Sequence, residues 1–259
     1  MAKKHFAVAI TLAVLLLCVS RPSPAAHRSE EEHHPTELER YRETTWAHFR
    51  SRCEQNSGER IYRTISGVDG TLLIRPRRQP SESELRDQYW KGDPYGYDSD
   101  GKAEIVLFLA DLDANGVAVT RRTNRPGYDN VEIERPDGSV VRFRRPDPTQ
   151  PPTMHSRNKV SAKYGVTWED VSTSIDRYYW TAGSKLKVID LSANGVLDER
   201  IGYLFEVGLG STAHGRRPWV SARLQYSTLA CPPFGMHKHI NREFVEKVLR
   251  PRRTQTDAR

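Results

Sequence analysis

The 259-residue sequence is poor in cysteine and methionine and has no long hydrophobic run. Three cysteines, at positions 18, 53 and 231, are too few for a disulfide-dense secreted scaffold. None has the Cys-X-X-Cys spacing that binds zinc or cycles thiols. The longest uncharged apolar run, Phe6 to Val19, has 14 residues, short of the ~20 that a membrane-spanning helix needs. A polytopic helical membrane protein is therefore not expected. No complete catalytic motif is present either. What remains, 37% hydrophobic and 28% charged residues, is enough for one sizeable core and argues against wholesale disorder.

The amino terminus carries a targeting pattern. Lys3, Lys4 and His5 precede the apolar run, and Ser20 to Ala26 is broken by Pro22 and Pro24 among small residues. This reads as a secretory signal peptide over residues 1–25, cut after Ala25 with Ser23 at the minus-three position, or one residue later. A retained anchor is the alternative, disfavoured by the shortness of the run, and no transmembrane segment is left after cleavage. Losing Lys3, Lys4 and Arg21 lowers the formal charge from +7 to +4. The expected compartment is the periplasm or the exterior. There Cys53 and Cys231, the two cysteines left, are expected to form one disulfide. The bridge spans 178 positions, for which chain entropy gives roughly 5 kcal/mol before any native strain.

Along the remaining chain the expectation is a mainly β, α+β fold: one antiparallel β-rich domain over residues 35–250 with a helix near each end. Residues 26–34 read as a disordered lead and 251–259 as a tail. Thr36 and Glu39 make a capping box, after which Leu38, Tyr41, Thr45, Phe49 and Cys53 mark one helical stripe. The period then changes to two. Strands are expected at 61–65, 71–75, 104–110, 117–121, 130–135 and 140–144, the third central because it is apolar on both faces. Asp69-Gly70, Asn115-Gly116 and Asp137-Gly138 supply tight turns. Ser81 and Glu84 cap a short helix. A proline-rich linker over 146–155 divides two β sublayers, 59–145 and 156–227, the second with strands at 160–164, 175–180, 185–190, 201–207 and 219–226. Asn241 caps a last helix that Pro251 stops. Leu109 to Val117 and Val188 to Val196 both run into Asn-Gly turns, which is hairpin chemistry used twice.

Four constellations bear on function. Asp98, Asp100, Asp111, Asp113 and Asn115 approach the first half of a Ca2+ loop, but Arg122 stands where the closing glutamate belongs. Ca2+ is thus the one cofactor the sequence suggests, and ordinary turns explain the same residues. His237 and His239 near Cys231 leave too few metal ligands once that cysteine is bridged. Ser211 and His214 lie in a Gly-rich loop that lacks the G-X-S-X-G elbow and a Walker lysine. Arginines cluster at Arg77, Arg78, Arg142, Arg144, Arg145, Arg216 and Arg217 and would suit an anion if they share a face. Because 33 acidic residues nearly balance the charge, only weak, salt-labile attraction to a polyanion is expected.

The sequence thus leads to an exported, non-catalytic binding or cell-envelope accessory protein. Its expected partner is an envelope protein or an anionic glycan or lipid, and dedicated nucleic-acid binding is not expected. A small hydrolase built on Ser211 and His214 is the alternative.

Overall fold

The computed structural model describes residues 35–76, 78, 80–92, 101–211, 219, 229–233 and 240–252. The signal segment, Trp219 aside the expected strand at 219–226, and residues 253–259 lie outside them. In chain order the elements are α1 (Glu37–Asn56), β1 (Gly58–Ile61), β2 (Ile65–Val68), β3 (Gly70–Leu73), α2 (Glu82–Arg86) and α3 (Gly101–Leu109). Next come β4 (Asp111–Leu112), β5 (Ala118–Val119), β6 (Asn130–Glu134), β7 (Val140–Arg144), β8 (Thr153–Arg157) and β9 (Tyr164–Asp170). The rest are α4 (Ser174–Tyr178), β10 (Thr181–Asp190), β11 (Gly195–Phe205), β12 (Ala230–Cys231), α5 (Ile240–Val248) and β13 (Leu249–Pro251).

The capping boxes form as the sequence requires. Thr36 Oγ1 accepts the Glu39 amide at 3.2 Å and the Glu39 carboxylate accepts the Thr36 amide at 2.7 Å. Ser81 and Glu84 do the same for α2. Both exchanges satisfy amides that a helix start leaves open.

The fold is sheet-rich, but its pairing is mixed rather than purely antiparallel. One sheet runs β1-β11-β10-β9-β3-β6-β7-β8, with β12 also on β11. Strand β3 lies parallel to both β9 and β6, whereas the remaining neighbours are antiparallel. The two β-rich stretches read from sequence therefore meet in one sheet through β3 and β9. Two-stranded pairs β13-β2, parallel, and β4-β5, antiparallel, stand apart from it.

One sheet face carries Leu73, Val131, Val166, Leu186 and Val188 against Ile105 and Phe108 of α3 and Phe244, Val245 and Val248 of α5. Arg242 pins these helices together. Fully buried, it donates to the carbonyls of Phe108 and Pro126 and pairs with Glu246 at 2.8 Å, while its guanidinium lies 4.5 Å from the Tyr128 ring. On the opposite face Phe49 of α1 stacks on Phe205 at 5.4 Å, with Trp46 and Tyr203 beside it. Cys53 at the end of α1 is disulfide-bonded to Cys231 of β12, with Cα atoms 5.6 Å apart.

Several elements differ from their sequence reading. The run expected as a central strand at 104–110 is helix α3. Five consecutive apolar residues fit a buried strand or a buried helix equally, and Glu104, Ile105, Phe108 and Leu109 all turn inward at helical spacing. The strand expected at 175–180 is helix α4, started by a Thr173–Asp176 capping box. Strand β9 begins where a strand ending at Tyr164 was expected. The proline linker gives way to β8 at Thr153, and β8 is the sheet's edge, where preceding prolines break no ladder. Pairing also continues past residue 250, since Pro251 of β13 lies opposite Val68.

Candidate functional site

The parallel strands β3, β6 and β9 start at one end of the sheet, at Gly70, Asn130 and Tyr164. Gly70 faces Asn130 so closely that a Cβ there would sit 2.2 Å from Asn130 Oδ1 and 2.6 Å from its carbonyl oxygen. Only glycine permits this approach. Strand β2, the Ser161–Tyr164 segment and Arg252 close round these strand starts, leaving a cleft of about 410 Å³. Ser66, Asp69, Asn130, Arg142, Lys163 and Arg252 supply its polar lining.

Glu132 organises one wall. It is fully buried, and its carboxylate accepts the amides of Ser161 at 2.8 Å and Ala162 at 2.9 Å, the Ser161 hydroxyl at 2.7 Å and Arg142 Nε at 2.8 Å. Burial works to raise its pKa, but these donors outweigh it and hold the carboxyl below its ordinary value. Across the cleft Asp69 grips Arg252 in a fork, Nε to Oδ1 at 2.8 Å and Nη2 to Oδ2 at 3.1 Å. Asp129 stands beside this pair. Burial first, and then the charge of Asp69, push its pKa up against Arg252, Arg144 and Arg122.

Both guanidinium groups are thus oriented by carboxylates, and among the described residues Nη1 of each is unused. Lys163 is exposed, and its side chain has no ion-pair or hydrogen-bond partner among the described residues. Three cationic donors on a preorganised frame can accept an anionic oxygen cluster.

Of the arginines singled out from sequence, Arg142 lines the cleft, and Arg144 lies across the ladder from its lining residue Asn130. Arg78 is instead clamped to Glu84, whose carboxyl that pairing draws down to about 2. Arg145 is spent on the carbonyls of Pro148 and Gln150. Arg77, Arg216 and Arg217 lie outside the described residues.

The Ca2+ candidates are occupied by turn chemistry. Asp111, buried, accepts the amides of Thr123 at 2.8 Å and Gly127 at 3.3 Å and pairs with Arg122. Asp113 accepts the amides of Asn115 and Val117, both at 2.9 Å. Asp98 and Asp100 are outside the described residues. No group of three or more His, Cys, Asp or Glu positioned to hold a metal occurs among the described residues.

In the Gly-rich loop, Glu206 accepts the amides of Gly208 at 2.9 Å and Gly210 at 2.8 Å. Those two donors face inward to a carboxylate rather than outward to an oxyanion. Ser211 is exposed, and His214 is outside the described residues.

Sequence reasoning missed Lys163, Asp69 and Glu132, and met only within the arginine cluster 250–253 the further lining residue Arg252. The last lies in a basic run that reads as a tail, and only its pairing through β13 brings it to the cleft. It also missed a buried hub in which Asp176 pairs with His48 at 2.7 Å and Arg52 at 3.0 Å, joining α4 to α1.

Comparison of the chain with protein-family models, with curated proteins and with solved structures found no match. Among the described residues no helix is long and apolar enough to cross a membrane.

Proposed function

We propose that this chain is an exported, non-catalytic binding protein that takes an anionic group of an envelope glycan or lipid in the cleft between β2, the Ser161–Tyr164 segment and Arg252. The observation that carries this reading is the convergence of Arg142, Arg252 and an unpartnered Lys163 on one cleft of about 410 Å³. Two carboxylates, Glu132 and Asp69, fix the guanidinium groups before any ligand arrives, which lowers the ordering cost of binding. The disulfide fits an oxidising compartment, and the amino-terminal pattern supplies the route to it.

Calorimetric titration with inorganic sulfate and with a sulfated disaccharide tests the reading. Binding of the disaccharide should weaken at least tenfold in Lys163→Ala, with the fold retained because Lys163 is exposed. Equal affinity in the variant would exclude the cleft as the site. Expression with the native amino terminus, followed by fractionation and amino-terminal sequencing, should give a periplasmic or secreted protein starting at Ala26.

A further inference from the structure

The cleft opens onto a sheet face whose charges point to the shape of its ligand. Successive residues of a strand alternate between faces. On β7 and β8 the face that continues the cleft carries Arg142 and Arg144 opposite His155 and Thr153, with Arg157 opposite Val140. The other face of β7 turns Val141 and Phe143 to the core. Arg144, His155 and Arg157 are exposed, and Arg144 and Arg157 have no ion-pair partner among the described residues.

Cationic side chains crowded on neighbouring strands repel one another and lower stability unless something neutralises them. Several basic residues elsewhere are met internally: Arg78 by Glu84, Arg145 by carbonyls, and Lys185 and Lys187 of β10 by Glu169. On the β7–β8 face Arg144 and Arg157 have no ion pair among the described residues, although the Asp129 carboxylate stands close enough to Arg144 to feel its charge. The face's carboxylates on β6 are Glu132, buried under Arg142, and Glu134, two strands away from Arg157.

Resting on the cleft reading, we infer that the ligand is a linear acidic polysaccharide, one anionic group held by Lys163 and Arg252 and the following groups laid over Arg142, Arg144, His155 and Arg157. Arg142 is common to cleft and track, and Asn130, which lines the cleft, faces Arg144 across the ladder. The path is therefore continuous. The charges stand on the strand faces rather than at the open backbone edge, so a ligand crossing strands fits better than a peptide adding a strand to β8. On β6, β7 and β8 the face presents no Phe, Tyr or Trp, and His155 is its one ring, whereas a single-strand nucleic-acid groove stacks successive bases on several. Asn130, Thr153 and Ser66 add neutral hydrogen-bonding groups suited to sugar hydroxyls.

A length series of heparin oligosaccharides, from disaccharide to octasaccharide, tests this at fixed low salt with the full mature protein. Affinity should rise at least tenfold over the series, and the rise should fall away as salt is added. In Arg144→Ala/Arg157→Ala the gain with length should disappear while disaccharide affinity stays as in the wild type. Length-independent affinity, or an unchanged double variant, would overturn the track but leave the cleft standing. Tighter binding of polyglutamate or single-stranded DNA of equal charge would overturn the polysaccharide assignment. Failure of the disaccharide to respond to Lys163→Ala would instead remove the cleft itself.

Discussion

Glu132 on β6 holds Arg142 on β7 from directly across the antiparallel ladder, Nε to Oε1 at 2.8 Å, while its other oxygen fixes the Ser161 and Ala162 amides. One carboxylate therefore sets a strand pairing, an arginine and a loop. Glu132→Ala would leave two amides and a guanidinium that is only 20% exposed without their acceptor. Breaking such a pair is expected to cost about 3 kcal/mol, read as a lowered urea midpoint. Because the folded-state pKa is depressed, this contribution is present above the unfolded value near 4.5 and is lost as pH falls through the folded one. Glu132→Gln should flatten that acid limb.

The Cys53–Cys231 bridge ties α1 to β12 at the edge of β11. Cys53→Ala/Cys231→Ala is expected to lose about 2 to 5 kcal/mol, the lower values applying if the denatured chain stays compact. Denaturation of the wild type with and without reductant checks it. Coincident curves would mean that the bridge adds nothing.

Asp176 is buried at the junction of α1 and α4, where it caps α4 and pairs with His48 and Arg52. Asp176→Ala removes the acceptor of the Thr173 amide as well as the ion pairs. The expected loss is about 2 to 4 kcal/mol, and protease cleavage within α1 should quicken. Unaltered digestion would show that α1 is held by its apolar stripe alone.

What could be read in the sequence was what is local. Thr36–Glu39 and Ser81–Glu84 act within four residues, so both helix starts were legible. Asp137-Gly138 and Asn194-Gly195 likewise announced the β6–β7 and β10–β11 turns, and Asn194 does take a positive φ of 48°. The disulfide followed from counting cysteines. By contrast, the parallel contacts of β3 join residues more than fifty positions apart and carry no local signature. Ile105 to Leu109 became a helix because α3 had the core beneath it, information the run itself does not hold. The cleft was the least legible feature. Arg142 stood out as one of many arginines, but Lys163 and Arg252 acquire meaning only when β13 and the Ser161–Tyr164 segment are in place. Thr173–Asp176 was the one signal that was present and passed over.

Asp198 is fully buried on β11, between Ile61 of β1 and Val188 of β10 in register, and among the described residues its carboxylate has no well-formed hydrogen bond, the Glu199 amide alone drawing its pKa down weakly from nearby. Burial pushes its pKa up to about 7, the Glu59 and Glu199 charges add to the rise, and Lys247 opposes it. A folded-state pKa above the unfolded value means that the folded form holds an extra proton between about pH 4 and pH 7. Stability from this group is therefore complete below about pH 4, declines as pH rises through 7, and is level beyond. The full fall is on the order of a few kcal/mol, about 4 at most. Asp198→Asn should abolish the slope, matching the wild type within about 1 kcal/mol at pH 4 and exceeding it at pH 8. Urea midpoints across that range decide it: a variant less stable than the wild type at pH 8 would mean that the ionised carboxylate finds a partner in the folded state. The window lies above the one in which Glu132 titrates, so the two carboxylates shape opposite limbs of one stability profile and each single variant should flatten only its own.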